Sequence, residues 1–143
     1  MIVYFDTSGI LPILIEEPSS EVASRLWDEA DRVASSRLVY AEARAALAMA
    51  HRMDRVDREG LRTAVREFEA LHNQLDVVEV TEELVRGAGE LAEQFGLRGY
   101  DAVHLASART LADPEFVLAA GDQNLLDAAR ALEIATADLT VEF

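Results

Sequence analysis

Short apolar runs alternate with longer helical patterns along this 143-residue chain. The run at residues 2–5, IVYF, favours β-structure and predicts a buried strand. Further strand candidates lie at residues 32–35, 76–81, 115–120 and, more weakly, 134–137. Strands that alternate with helices predict a parallel sheet covered on both faces. We therefore expect a single α/β domain over residues 1–143, with three α/β/α layers and a mostly parallel sheet of four to five strands.

Capping and breaking residues predict where the helices begin and end. Thr7 or Ser8 is expected to cap the first helix, and Thr81 to open a helix that ends near Gly96. Pro114 should stop a helix that precedes it. The expected long helices occupy about residues 36–53, residues 57–71, residues 81–96, residues 100–111 and the segment after Gly121.

The composition indicates a globular protein without cysteine chemistry. Half of the residues are hydrophobic, which is enough for a sizeable core, and there is no Cys for a disulfide or a thiolate metal site. The N-terminal residues lack the basic segment of a signal peptide. No apolar run approaches the roughly 20 residues of a membrane span. We expect a soluble cytoplasmic protein with no membrane partner.

The formal net charge of −14 argues against a generic nucleic-acid binder, because phosphate repels such a surface. It favours a basic partner or bound cations. All 13 basic residues are Arg. Arg58, Arg62 and Arg66 repeat at helical spacing, and Arg44 precedes them. They are either a solvated helix face paired with nearby acids or a rim that binds the phosphates of a ligand, and the sequence leaves both readings open.

Single acids stand at the expected ends of two strands. Asp6 follows the first strand, and Asp122 comes shortly after the fourth. In open α/β sheets, ligands collect beyond the carboxyl ends of the strands. The two carboxylates should therefore lie near each other if these strands are neighbours.

Two further acids interrupt apolar helical patterns. Glu42 shares a helix face with Leu38 and Met49, so its carboxylate faces inward and needs a partner. Asp101 lies in the first turn of its predicted helix, where the helix dipole favours an anion.

Each acid has an ordinary structural explanation when it is taken alone. Asp6 and Asp122 could be helix N-caps, Asp101 a first-turn acid, and Glu42 the partner of a buried Arg. Few basic residues adjoin them in the sequence, and Arg44 points away from Glu42, so we expect no basic partner at the cluster. Converging carboxylates would then repel one another unless hard cations such as Mg²⁺ or Mn²⁺ neutralise them. Such an arrangement suits two-metal phosphoryl transfer.

Four segments together resemble the PIN-domain ribonucleases, and in particular the VapC-type toxins of bacterial toxin–antitoxin pairs. They are VYFDTSGI, SSRLVYAEARAAL, GYDAVHLASA and LAAGDQNLLDAA, and the likeness extends over essentially the whole chain. GYDAVHLASA is the most specific match. The last segment departs from the family pattern, because many relatives have Thr or Ser where this chain has Ala120.

The resemblance implies that Asp6, Glu42, Asp101 and Asp122 are both metal ligands and catalytic acids. It implies that Thr7 or Ser8, with Ser8 preferred, supports them by hydrogen bonding. It further implies an Mg²⁺-dependent endoribonuclease, with Mn²⁺ as a substitute, that has an RNA substrate, a small antitoxin partner and a homodimeric state. His104 is expected to serve packing, and Asp127 to lie on the surface.

A different class of function is also compatible with the acids. The chain could be a non-catalytic α/β protein-binding module whose acidic cluster holds a basic partner. Haloacid-dehalogenase-type phosphatases are excluded, because they need a second acid where this chain has Ser8. Metal titration separates the nuclease from the binding module.

Overall fold

The computed structural model describes residues 1–141, and the expected domain end at residue 143 lies outside them. Within this range the chain forms five strands and seven helices, with one or two helices between consecutive strands. The strands are β1 (Ile2–Phe5), β2 (Arg32–Ser36), β3 (Asp76–Val78), β4 (Phe116–Ala120) and β5 (Thr136–Asp138). The helices are α1 (Thr7–Leu14), α2 (Ser20–Glu29), α3 (Val39–Arg52), α4 (Arg58–His72), α5 (Glu82–Phe95), α6 (Gly99–Leu111) and α7 (Gln123–Ala131).

The strands form one parallel sheet in the order β3-β2-β1-β4-β5. The predicted α/β architecture is confirmed, with five strands. The strand order reverses between β1 and β4, which pair with Phe5 opposite Ala119. The predicted neighbourhood of the first and fourth strands is therefore also confirmed. A reversal of this kind leaves a crevice at the carboxyl ends of the two strands.

Two apolar cores lie on the two faces of the sheet. Alternate residues of β1 point to opposite faces, so Tyr4 packs in one core and Phe5 in the other. The Tyr4 core is closed by α5, α6 and α7, and the Phe5 core by α1 to α4. Among residues 1–141, no helix is both long and apolar enough to cross a membrane.

Several element boundaries differ from the predictions. Asp6, and not Thr7 or Ser8, caps α1, because its side chain accepts from the Gly9 amide. The long helix expected from residue 36 begins at Val39. Ser36 still pairs with Val78 in the sheet, so the helix cannot begin before the strand has ended.

Gly9 allows α1 to lie close to β4. A Cβ atom at this position would lie 2.9 Å from the carbonyl oxygen of Ala119 and 3.1 Å from the Phe5 ring. A backbone oxygen cannot move aside as a flexible side chain can. The missing side chain at Gly9 therefore fixes the start of α1 against the sheet, directly beside Asp6.

Candidate active site

All four predicted acids lie near the carboxyl edge of the sheet, around the reversal between β1 and β4. Asp6 follows β1 directly, and Asp122 is the N-cap of α7 after β4. Glu42 and Asp101 lie in the first turns of α3 and α6. Residues separated by more than a hundred positions are thus placed around one crevice by the topology alone.

Asp6 is a buried carboxylate held by hydrogen bonds. Its side chain is 4% exposed. Its Oδ1 accepts from the Ser8 hydroxyl at 2.7 Å and from the Gly9 amide at 2.9 Å, and its Oδ2 accepts from Ser8 at 2.9 Å. Burial, with a smaller contribution from the negative charge of Asp101, raises the pKa of Asp6 from 3.8 to about 6 against the opposing effects of His104 and of these hydrogen bonds.

Ser8 joins two parts of the crevice. Besides donating to Asp6, its Oγ accepts a hydrogen bond from the Gly121 amide at 2.9 Å. Gly121 immediately precedes Asp122, so this contact connects the start of α1 to the turn that carries the fourth acid. Ala120 stands where the family pattern has Thr or Ser, so it has no hydroxyl to hold the turn before Asp122. The contact between Ser8 and the Gly121 amide holds this turn instead.

Glu42 belongs to a hydrogen-bonded chain that extends into the core. Its Oε1 accepts from the Thr7 hydroxyl at 3.0 Å and from His104 Nε2 at 2.7 Å. The other ring nitrogen of His104 lies 2.8 Å from the Tyr4 hydroxyl. Because a carboxylate only accepts hydrogen bonds, Nε2 must carry a hydrogen. Among residues 1–141, no donor contacts Oε2, which leaves that oxygen available to a ligand.

The hydrogen-bonded chain ends at the Tyr4 hydroxyl, which is a neutral group. Tyr4 is fully buried, and burial raises its pKa well above the usual value. His104 is also buried, as its predicted packing role requires, but it contacts the carboxylate as well. Glu42 thus has an imidazole partner instead of the buried Arg considered above. The sequence signal was the position of His104 one helical turn after Asp101.

Asp101 and Asp122 share a basic partner, and the expectation that none exists is wrong. Arg98 Nε lies 3.0 Å from Asp101 Oδ2, and its Nη2 lies 3.5 Å from Asp122 Oδ2. The hydrogen bond with Asp101, followed by the charges of both acids, raises the pKa of Arg98. Arg98 stands three residues before Asp101, at the N-cap of α6, and this spacing was the signal that sequence reasoning missed.

The structural alternatives for the two strand-end acids are also observed. Asp6 caps α1, and Asp122 caps α7 through an Oδ1 contact with the Leu125 amide at 3.1 Å. Each cap uses one carboxylate oxygen, so the second oxygen can still face the crevice. Asp127 is exposed and pairs with Arg130, which confirms its predicted surface position.

Hard oxygen donors line the crevice, which fits the chemistry of Mg²⁺ or Mn²⁺. Within the part of the chain that the structure describes, no three His, Asp or Glu side chains are spaced as a ready-made metal site. Arg98 pairs with two of the four acids in this arrangement and compensates part of their charge. The residue types therefore fit a divalent ion, although their side chains are not arranged around one in this structure.

The predicted Arg rim lies on two helices, with Arg44 on α3 and the other three residues on α4, and among the described residues only Arg44 pairs with an acid. Arg44 donates to the Tyr40 hydroxyl at 2.9 Å and lies 3.7 Å from Glu69, so it points toward α4. Arg58, Arg62 and Arg66 are exposed, and in residues 1–141 none of them forms an ion pair. Arg58 is the first residue of α4, and at 1.5 Å per residue it lies roughly 12 Å from Arg66 along the helix axis.

Comparisons with known proteins agree with this architecture. The PIN domain family model matches residues 3–132. Ribonuclease VapC45 of Mycobacterium tuberculosis is 44% identical over 130 residues, which cover 91% of this chain and 90% of the relative.

Two solved structures have the same fold. Mycobacterium tuberculosis VapC20, described as a "Sarcin-Ricin loop cleaving toxin", is 21% identical with a TM-score of 0.67, covering 88% of this chain and 94% of its own. A "Toxin-antitoxin complex from Klebsiella pneumoniae" contains a chain that is 16% identical with a TM-score of 0.61, covering 85% of this chain and 87% of its own.

The chain belongs to the PIN-domain family. Within that family it is of the VapC type, so the resemblance read from its four motifs is confirmed.

Proposed function

We propose that this chain is a divalent-metal-dependent endoribonuclease and the toxin of a toxin–antitoxin pair. Its family membership and its 44% identity to a protein named as a ribonuclease support an RNA-cleaving activity. The observation that carries the proposal is the placement of Asp6, Glu42, Asp101 and Asp122 around the crevice between β1 and β4. A structural explanation of each acid does not account for their common location.

The four carboxylates would hold Mg²⁺, with Mn²⁺ as a substitute. Bound there, the ion would supply Lewis-acid chemistry, which activates water and stabilises negative charge on the phosphate oxygens. Asp6 and Glu42 would bind the ion with carboxylate groups oriented by Ser8, Thr7 and His104, and Glu42 would use its Oε2. Asp101 and Asp122 would contribute the oxygens that Arg98 now contacts.

The chain itself would position the scissile phosphodiester and exclude wrong geometries. Hydrogen bonds to Asp6 and Glu42 would restrict the rotation of these two carboxylates, and so the orientations in which they can bind a ligand. The protein carries a net charge of −14, so neutralisation of the crevice is also needed before RNA can approach. The Arg side chains on α4 would add a weaker attraction for the phosphates.

An antitoxin would silence the enzyme by occupying the same crevice. Structural neighbours of this chain include a chain from a toxin–antitoxin complex. A crevice with four carboxylates favours a basic segment, and an antitoxin Arg placed among the acids would compete with the metal. Homodimerisation is part of the same proposal and rests on family membership.

RNA cleavage by the purified protein tests the proposal. Wild type should cleave single-stranded RNA in Mg²⁺ or Mn²⁺, and EDTA should stop it. Asp101→Asn should bind less metal and cleave no RNA, while Asp127→Asn, an exposed acid outside the crevice, should cleave normally. A folded wild-type protein that binds no metal and cleaves no RNA, but captures a basic peptide, would instead support the binding-module alternative.

A further inference from the structure

Arg98 contacts two of the proposed metal ligands at once. Its guanidinium lies between Asp101 and Asp122, which belong to different helices and are 21 positions apart in the sequence. A single side chain thus connects the start of α6 to the start of α7 across the mouth of the crevice.

The contacted atoms are the oxygens that a metal would need. Asp122 Oδ1 accepts from the Leu125 amide, so Oδ2 is the oxygen left for a ligand, and Arg98 lies 3.5 Å from it. On Asp101, Arg98 Nε lies 3.0 Å from Oδ2. A divalent ion that used both oxygens would occupy the space of the guanidinium, and two cations would repel each other there.

Arg98 is free to leave these acids at little cost. Its side chain is 82% exposed, whereas those of Asp101 and Asp122 are 18% and 23% exposed. The guanidinium therefore stays well solvated when it leaves, and a divalent ion that takes its place would compensate the charge of the two less exposed acids. The backbone of Arg98 is fixed at the N-cap of α6, so the released side chain stays beside the crevice.

We propose that Arg98 exchanges partners: it pairs with Asp101 and Asp122 in the metal-free protein, is displaced when the divalent ion binds, and then contacts a phosphate of the RNA. This inference rests on the proposed nuclease function. A planar guanidinium suits both partners, because it can donate two parallel hydrogen bonds to a carboxylate or to a phosphate. The exchange couples metal binding to the appearance of a positive group for the substrate.

Metal affinity, measured without RNA, tests the first half of the exchange. Mn²⁺ is titrated into the full-length, EDTA-stripped protein and followed by calorimetry or by the electron paramagnetic resonance of free Mn²⁺. Arg98→Met removes the competing charge and keeps the aliphatic stem, so it should bind Mn²⁺ about fivefold more tightly than wild type. Arg98→Lys, which keeps the charge but loses the fork, should fall between them. Unchanged or weaker Mn²⁺ binding by a folded Arg98→Met protein would overturn the inference.

RNA affinity tests the second half. Binding of a fluorescent single-stranded RNA oligonucleotide is measured in Ca²⁺, with cleavage checked on a gel. Arg98→Met should bind this RNA about fivefold more weakly than wild type, even though its metal affinity is higher. Opposite changes in metal and RNA affinity are not expected from a merely structural role. Equal RNA affinity for the two proteins would overturn the phosphate contact.

A matched variant separates loss of charge from loss of this particular contact. Arg86 is an exposed Arg that pairs with a carboxylate, Glu82, on α5. Arg86→Met should match wild type in both titrations. If wild type binds no Mn²⁺ at all, the nuclease proposal fails together with this one. If wild type binds Mn²⁺ through Asp101 and Arg98→Met binds it equally well, only the role of Arg98 fails.

Discussion

The two halves of the crevice are stabilised in opposite ways. Asp6 and Glu42, the inner pair, are held by hydroxyl, amide and imidazole donors. Asp101 and Asp122, the outer pair, are joined by one exposed Arg. The inner pair is ordered by groups that cannot leave without disturbing the core, and the outer pair by a group that can move into solvent.

The inner pair is held rigidly but lacks an Arg partner among residues 1–141, whereas the outer pair has a positive partner but is not held rigidly. Burial raises the pKa of Asp6 to about 6, because the hydrogen bonds that fix its orientation lower the pKa only in part. Arg98 compensates part of the charge of the outer pair without fixing it firmly, because the contacts are solvated. A divalent ion would compensate the negative charge of the inner pair and would fix the positions of the outer pair.

Loss of one inner carboxylate should have the largest effect on activity. Asp6→Asn keeps the size and the capping oxygen of the side chain but removes the charge. Because even groups that only support metal ligands contribute about 10–100-fold, we expect cleavage in Mg²⁺ to fall by more than about 100-fold. The measurement is initial-rate cleavage of a labelled RNA, with Asp127→Asn as the exposed control. Cleavage within threefold of wild type would show that Asp6 serves only as a helix cap.

The same substitution should stabilise the protein in EDTA at neutral pH. Folding raises the pKa of Asp6 from 3.8 to about 6, so the charged carboxylate costs stability above pH 6 and the cost disappears as the pH falls toward 4. A difference of about two pH units corresponds to at most about 3 kcal/mol. Asp6→Asn should therefore have a higher free energy of unfolding than wild type at pH 8, and little or no advantage at pH 4.

Urea unfolding at the two pH values gives this comparison directly. Addition of Mg²⁺ at pH 8 should stabilise wild type more than Asp6→Asn, because only wild type has the full set of charges for the ion. A pH-independent difference between the two proteins would mean that folding does not raise the pKa of Asp6.

His104 should affect metal affinity without contacting the metal. His104→Gln keeps a polar side chain near Glu42 but disturbs the chain from Tyr4 to Thr7. Partners of this kind contribute about 10–100-fold to metal affinity, so Mn²⁺ binding should weaken by about that factor. Tyr4→Phe is the milder companion, because it removes the hydroxyl alone. If His104 only fills space, His104→Gln should lower thermal stability and leave Mn²⁺ affinity intact.

The sequence predicted the topological part of the site because that part depends on periodicity. The apolar run at Ile2–Phe5 and the one at Phe116–Ala120 define two strands, and acids that follow neighbouring strands must meet at one edge. Helix positions such as Glu42 were visible because an acid interrupts an apolar face. Element ends were less certain, since Ser36 stays in the sheet only because its partner strand reaches Val78.

The partners of the acids could not be read in the same way. Arg98 lies beside Asp101 in the sequence, but its contact with Asp122 depends on how α6 and α7 approach each other. The bond between Ser8 and Gly121 spans 113 positions and forms only because α1 packs tightly on β4 at Gly9. Periodicity fixes which face a residue occupies, whereas hydrogen-bond partners depend on distances between elements.

The Arg side chains of α4 lie outside both pairs of acids, and their replacement should have the smallest effect on RNA binding. Arg66 lies one turn from Glu69, which bonds to Tyr40 near the crevice, whereas Arg58 lies roughly 12 Å farther along the helix. Over that distance, about one Debye length at 0.1 M salt, screening weakens attraction for a phosphate at the crevice. Arg66→Ser should therefore weaken RNA binding in Ca²⁺ by a few-fold and Arg58→Ser by less. Joint replacement of Arg58, Arg62 and Arg66 should also flatten the salt dependence. If the triple variant has the salt dependence of wild type, these residues are a solvated helix face, and Arg98 is left as the cation nearest to the bound phosphate.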